Sequence, residues 1–117
     1  MKDINYKDIR ELKTFEKYGD VFTQERYNPN TGMFLYKRTN KEDPTKISYE
    51  VVKGRRRKLP EGKEVLTYPV TSDWGIYGLS IGDNKYAGAL IDYFMDNGIT
   101  SPEERYNFKK ELMSLAF

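Results

Sequence analysis

Neither cysteine nor histidine occurs in the 117-residue chain. Without cysteine there is no disulfide framework and no thiolate zinc site. Without histidine, the commonest metal ligand and the commonest general base near neutral pH are both missing. Ser/His/Asp, Cys/His and HExxH chemistries are therefore excluded, while an acid–base pair of carboxylates or a carboxylate-bound metal stays formally open. The acids Asp83, Asp92, Asp96, Glu103 and Glu104 fall at expected helix starts or on polar helix faces, not at a ligand spacing. The glycines between residues 75 and 82 carry no Walker lysine and no GxGxxG pattern. The chain is accordingly read as non-enzymatic, with no catalytic residue, metal or cofactor. Long apolar runs are lacking as well. No stretch approaches the ~20 apolar residues of a membrane span. Residues 1–18 are charged throughout, without the apolar run of a signal peptide. The expectation is a cytoplasmic protein with no membrane partner.

Aromatic residues are plentiful: ten Tyr and six Phe bring the aromatic share to 15% and give a small core a large area to bury. With 38% hydrophobic and 32% charged residues, the composition fits one globular domain over residues 1–117. The net charge of +2 is unevenly spread. Between Lys53 and Lys63 six basic residues meet one acid, Glu61; from Glu64 onward four basic residues meet eight acids. The chain has a positive segment and a negative C-terminal half.

Periodicity predicts the elements. Ile9, Leu12 and Phe15, three residues apart, read as a helix over residues 5–18, with Asn5 and Asp8 as a capping pair and Gly19 as its stop. Residues 20–27 and 33–39 read as a hairpin around Asn28-Pro29-Asn30-Thr31-Gly32. Residues 40–46 form an exposed loop. Over residues 47–53, Ile47, Tyr49 and Val51 take one face and Ser48 and Glu50 the other. A basic turn over residues 54–63 then leads to a short strand over residues 64–68, making a second hairpin with a cationic tip. A fifth strand is expected near residues 78–81. Helices follow over residues 83–97, capped by Asp83, and from Ser101, where Pro102 and Glu104 complete a start signal. The fold class is α+β: a four- or five-stranded antiparallel sheet with an N-terminal helix and two C-terminal helices. The predicted core holds Ile9, Leu12, Phe15, Tyr49, Val51, Leu90, Phe94, Phe108 and Leu112, with Leu115 on the inner face of the last helix.

Arg55-Arg56-Arg57-Lys58 is the sharpest charge feature. Four adjacent cations repel one another, so they serve either an anionic partner or a solvated turn. With Lys53 and Lys63 they mark a β-ribbon suited to phosphate contact. Trp74 and Tyr77, in Trp74-Gly75-Ile76-Tyr77-Gly78, read either as a stacking platform or as core packed beside glycines. Tyr36, flanked by Lys37 and Arg38, is expected as an exposed member of a binding patch.

Tyr49-Glu50-Val51-Val52-Lys53, Gly62-Lys63-Glu64-Val65, Tyr68-Pro69, Trp74 to Gly78 and the Ala87 helix together resemble small uncharacterised proteins of phages and mobile elements, over about residues 47–94. The resemblance implies a protein working in the host cytoplasm and brings no activity with it. In architecture the chain is also similar to the N-terminal DNA-binding domains of some tyrosine integrases, where a small antiparallel sheet reads the major groove. The expected function is binding of nucleic acid or a nucleoprotein through the basic hairpin. The alternative is inhibition of a host defence protein, of anti-restriction or anti-CRISPR type, by protein–protein contact.

Overall fold

Alternating segments pair into one antiparallel sheet in the computed structural model, which describes residues 7–114. Its strands are β1 (Thr14–Lys17), β2 (Asp20–Asn28), β3 (Met33–Asn40), β4 (Ile47–Lys53) and, last in the chain, β7 (Gly78–Gly82), in the order β1-β2-β3-β4-β7. Between β4 and β7, β5 (Arg55–Lys58) and β6 (Glu64–Thr67) form a separate two-stranded ribbon. Helices α1 (Ala87–Asn97) and α2 (Pro102–Ser114) follow. The architecture is α+β, as expected. Among the described residues no helix is long and apolar enough to cross a membrane.

Both faces of the sheet are covered, and the period of two divides the apolar residues between them. Leu35, Val51 and Ile81 pack with Ala87, Ile91, Phe94 and Met95 of α1. On the other face Phe15, Phe22, Phe34, Tyr36 and Val52 pack with Ile9, Leu12 and Tyr68. Covering on both sides explains the unbroken burial of Met33–Tyr36 and of Glu50–Val52. Glu50, on the face opposite Val51, is buried for this reason.

The expected N-terminal helix is not there. Ile9–Glu11 is one 3-10 turn, capped by Asp8 through the Arg10 amide, and β1 follows it. A 3-10 turn has three residues per turn, so it aligns Ile9 with Leu12 as well as a helix would. Phe15 then reaches the same cluster from a strand, stacked on Phe22 across the β1–β2 pair with centroids 4.5 Å apart. Gly19, read as a helix stop, is half of a two-residue hairpin turn. Tyr18 and Gly19 have φ of 58° and 76°, and Lys17 pairs with Asp20 on either side. Asn5 lies outside the described residues.

The second hairpin is also rearranged. β4 pairs with β3 and β7, and β6 pairs with Arg55–Lys58 instead. The chain breaks at Gly54, where a Cβ would stand 2.9 Å from Leu66 Cβ and 3.1 Å from Ile9 Cγ2. Only glycine allows this close approach, which swings the ribbon across the sheet. The fifth strand appears as β7.

Helix α1 starts at Ala87, later than expected. Asp83 does not cap it; Asn84 Oδ1 accepts from the Tyr86 amide, and Gly98 at φ 79° ends the helix. In α2, Ser101 Oγ accepts from the Glu104 amide as expected. This helix buries no residue fully: Phe108 and Leu112 are half-buried, with Phe108 stacked on Tyr93 at 4.1 Å. Tyr49 and Leu90 are half-buried as well, and Leu115 lies outside the described residues.

Candidate functional site

The basic run is a strand, not a turn, and that decides which cations are available. Residues directly opposed in an antiparallel ribbon share a face. Arg55 and Arg57 stand opposite the buried Thr67 and Val65, whereas Arg56 and Lys58 stand opposite Leu66 and Glu64. Arg55 and Arg57 are consequently half-buried, and Arg56 and Lys58 exposed. The tip of the ribbon is the Leu59–Lys63 turn, closed by Leu59 N donating to Lys63 O at 2.7 Å and opened by Gly62 at φ 90°.

Arg55 is occupied. Its Nη1 donates to Asp73 Oδ1 at 2.5 Å, and Asp73 Oδ2 accepts from the Val70 amide at 3.0 Å. Asp73 sits in the 3-10 turn Thr71–Asp73, so this ion pair ties the ribbon to the segment before β7. The Arg55 guanidinium also lies 5.9 Å from the Tyr77 ring centroid. The Arg57 Nε is buried without a hydrogen-bond partner among the described residues. Lys53, Arg56, Lys58 and Lys63 are all exposed, and none of the four forms an ion pair among the described residues.

Tyr36, Lys37 and Arg38 do not form the expected patch. Tyr36 is fully buried. Its hydroxyl donates to Leu12 O at 2.6 Å and accepts from Gln24 Nε2 at 3.0 Å, fastening the N-terminal turn to the sheet. Burial pushes the Tyr36 phenol up to about 12. Lys37 and Arg38, being adjacent in β3, point to opposite faces.

Arg38 belongs instead to a polar cluster inside the sheet's ribbon-side face. Its Nε lies 2.5 Å from Asp20 Oδ2 and its Nη1 3.2 Å from Glu50 Oε2. Tyr68 donates its hydroxyl to Glu50 Oε1. Burial first, and the adjacent Glu50 charge second, push the Tyr68 phenol well above its ordinary value. Burial opposes the Arg38 charge, but Asp20 and Glu50 outweigh it and raise its pKa. The Arg38 hydrogen bond holds Asp20 below the ordinary carboxylate value. Nothing in the alternation of β4 marks Glu50 as interior; Arg38, opposite Ser48, meets Glu50, opposite Tyr36, on the diagonal between neighbouring strands, and a cation and an anion at such spacing is the only signal.

This cluster floors a cavity of about 180 Å³. Aromatic side chains wall it: Phe15, Tyr18, Phe22, Tyr68 and Trp74. Trp74 is neither free platform nor deep core. It is half-buried against the ribbon-side cluster, its ring lies against Gly78, and its Nε1 donates to Ser80 Oγ at 3.2 Å. Tyr77, half-buried beside Arg55, does not line this cavity.

Among the described residues no group of three acidic side chains could hold a metal ion. The site that the structure brings together is therefore an exposed basic ribbon joined through Arg55 and Asp73 to a segment carrying Trp74. No protein-family model, no curated protein and no solved structure matches this chain.

Proposed function

We propose that the protein is a non-enzymatic binding protein of phage or mobile-element type that contacts nucleic acid, or a nucleoprotein, along its phosphates through the β5–β6 ribbon. One observation carries this reading: Arg56 and Lys58 are exposed and form no ion pair among the described residues, on a strand whose alternate residue Arg55 is bound to Asp73. The fold uses Arg55; packing gives no reason for the other two. Lys63 extends the positive region to the tip of the ribbon, whereas Lys53, opposite Met33 and beside Gly32, lies on the α1 face of the sheet. Phosphate contact through such side chains supplies affinity and little sequence preference.

Electrophoretic mobility or fluorescence anisotropy at two salt concentrations tests this. Affinity for an oligonucleotide is expected to fall steeply as salt rises. Absence of binding at low salt rejects the reading.

A second reading rests on the opposite end of the chain. Asp96, Glu103 and Glu104 are exposed, and Tyr106 and Met113 are exposed on α2. An acidic surface with apolar anchors suits the basic groove of a nucleic-acid-binding host protein, as an inhibitor of anti-restriction or anti-CRISPR type would.

A further inference from the structure

We infer that the aromatic cavity takes one unpaired nucleobase, so that the nucleic acid bound by this protein is single-stranded; the inference rests on the nucleic-acid reading above and specifies its ligand.

The size comes first. Pockets for drug-sized ligands run to roughly 300–1,000 Å³. At about 180 Å³ this cavity admits a single ring system, and neither a helix nor a peptide segment. Phe15, Phe22 and Tyr68 lie buried at its base, and the lining rings with free surface are Tyr18, 69% exposed, and the half-buried Trp74. Stacking on such surfaces is how unpaired bases are held without sequence reading.

The charge comes second. An aromatic box with a buried carboxylate suits an ammonium ligand in principle. Here that role is already filled. The Arg38 guanidinium lies 4.9 Å from the Phe22 ring centroid and its Nη1 reaches Glu50 at 3.2 Å. The charged lining groups are Lys17, Arg38 and Glu50, and Asp20, 2.5 Å from Arg38, brings the local sum to zero. With its carboxylates already paired, the cavity favours a neutral planar ring, and Lys17 at its edge suits an attached phosphate. Ser80 and Thr71 are exposed and line the cavity, offering hydroxyls to ring nitrogens or carbonyls.

The third observation is Tyr18. It is the one described non-glycine residue at positive φ, 58°, and it is 69% exposed. A two-residue turn of this kind favours Asn or Gly at that position, and bulky residues seldom adopt the conformation. Folding gains only an exposed cation–π contact from the ring, with Lys17 Nζ 5.0 Å from its centroid. A ring on the rim of a base-sized cavity is what a stacking partner requires. Trp74 on the other side is held in place by Gly78 and Ser80 and needs no reordering on binding.

Trp74 is the only tryptophan, so its fluorescence reports on this cavity alone. The full chain is titrated with a single-stranded oligothymidylate of about 10 nucleotides, with the corresponding duplex, and with thymidine monophosphate. Tyr18→Asn is run in parallel, because Asn suits the turn and keeps the fold. The expected result is quenching by the single strand and a preference for it over the duplex. Tyr18→Asn should lower single-strand affinity about 5- to 100-fold, the loss of one stacked base, with an unchanged or higher Tm and duplex affinity unaltered. Quenching by the mononucleotide to the same extent and at the same concentration would overturn the inference in favour of a free-nucleotide site. Equal binding of strand and duplex with constant Trp74 emission, and no effect of Tyr18→Asn, would overturn the cavity while leaving the ribbon as the contact. Binding of none of the three overturns both readings.

Discussion

Tyr68 donates its phenolic hydrogen to the carboxylate of Glu50, and both side chains are buried beneath the ribbon. Tyr68 follows β6, and Glu50 lies in the middle of β4. The bond therefore joins the end of the ribbon to the centre of the sheet. Removing the hydroxyl with Tyr68→Phe leaves one carboxylate oxygen short of a donor while Arg38 still serves the other. The expected cost is about 1–3 kcal/mol, the penalty for a buried acceptor losing its partner. Glu50→Ala strands both the phenol and part of the Arg38 charge and should cost more, about 3–5 kcal/mol. Urea unfolding of the two single variants and the double variant checks this. The double variant should be more stable than the sum of the two losses predicts.

The two buried phenols set the alkaline limit. Tyr36 is raised to about 12 from 10.0, and Tyr68 is also raised well above 10.0, by burial and by Glu50. In both, the folded state favours the protonated form. Their contribution to stability is complete below about 10, where the unfolded phenol is also protonated, and is lost as pH rises toward the folded values. For Tyr36 alone the gap is worth roughly 3 kcal/mol. Melting temperature should decline above pH 10, and tyrosinate absorbance should show a step that coincides with unfolding. On the acid side the sign reverses. Asp20 is held below 3.8 by Arg38, so its contribution is present above 3.8 and disappears as pH falls through the lowered value.

Gly54 separates the sheet from the ribbon, and Gly54→Ala should be felt by both. The added methyl would meet Leu66 Cβ at 2.9 Å and Ile9 Cγ2 at 3.1 Å. Neither neighbour is the free end of a long side chain, so the ribbon must shift. A destabilisation of about 1–3 kcal/mol is expected. Gly88 provides the contrast: it lies inside α1 with nothing within 4 Å of an added Cβ. Gly88→Ala should stabilise by roughly 0.4–1 kcal/mol. Denaturant midpoints of the two variants should move in opposite directions.

The parts of the fold visible in the sequence were those with a single local explanation. The turn at residues 28–32 between two apolar runs specified the first hairpin, and Ser101 with Pro102 specified the start of α2. The N-terminus was misread because a spacing of three suits both a helix and a 3-10 turn running into a strand. Nothing in Ile9, Leu12 and Phe15 themselves chooses between these. The choice is made at a distance, by Gln24 and Tyr36 bonding to Leu12 O and by Phe22 stacking on Phe15. The ribbon was misplaced because β4 and β6 both looked like partners across a turn, and the close approach at Gly54 is a tertiary fact. The basic residues of the candidate site were legible as charge, but not their facing, which needs the register of β5 on β6. Glu50, Tyr68 and the cavity they floor depend on the sheet being covered on both sides, which no single strand pattern announces.

The register of the ribbon separates structural from binding arginines, and substitution should divide them. Arg55 pairs with Asp73, whose side chain is only 7% exposed, while Arg55 itself is 42% exposed. Breaking a fully buried pair costs 3–5 kcal/mol, but water already reaches this one. Arg55→Ala should therefore destabilise by about 1–3 kcal/mol, chiefly through the Asp73 carboxylate left with the Val70 amide. Arg56→Ala with Lys58→Ala should change stability by no more than about 0.5 kcal/mol, since both side chains are exposed and form no ion pair among the described residues. Binding should respond the other way. If Arg56 and Lys58 each meet a phosphate, their joint removal lowers affinity and reduces the slope of log affinity against log salt by nearly two for duplex DNA, somewhat less for a single strand. The Arg55 variant, measured well below its melting temperature, should keep the parent slope. Anisotropy titrations over a salt series supply the slopes, and thermal unfolding supplies the stabilities. A parent slope in the Arg56/Lys58 variant together with a reduced slope in the Arg55 variant would move the contact to the inner face of the ribbon, beside Arg57 and Tyr77.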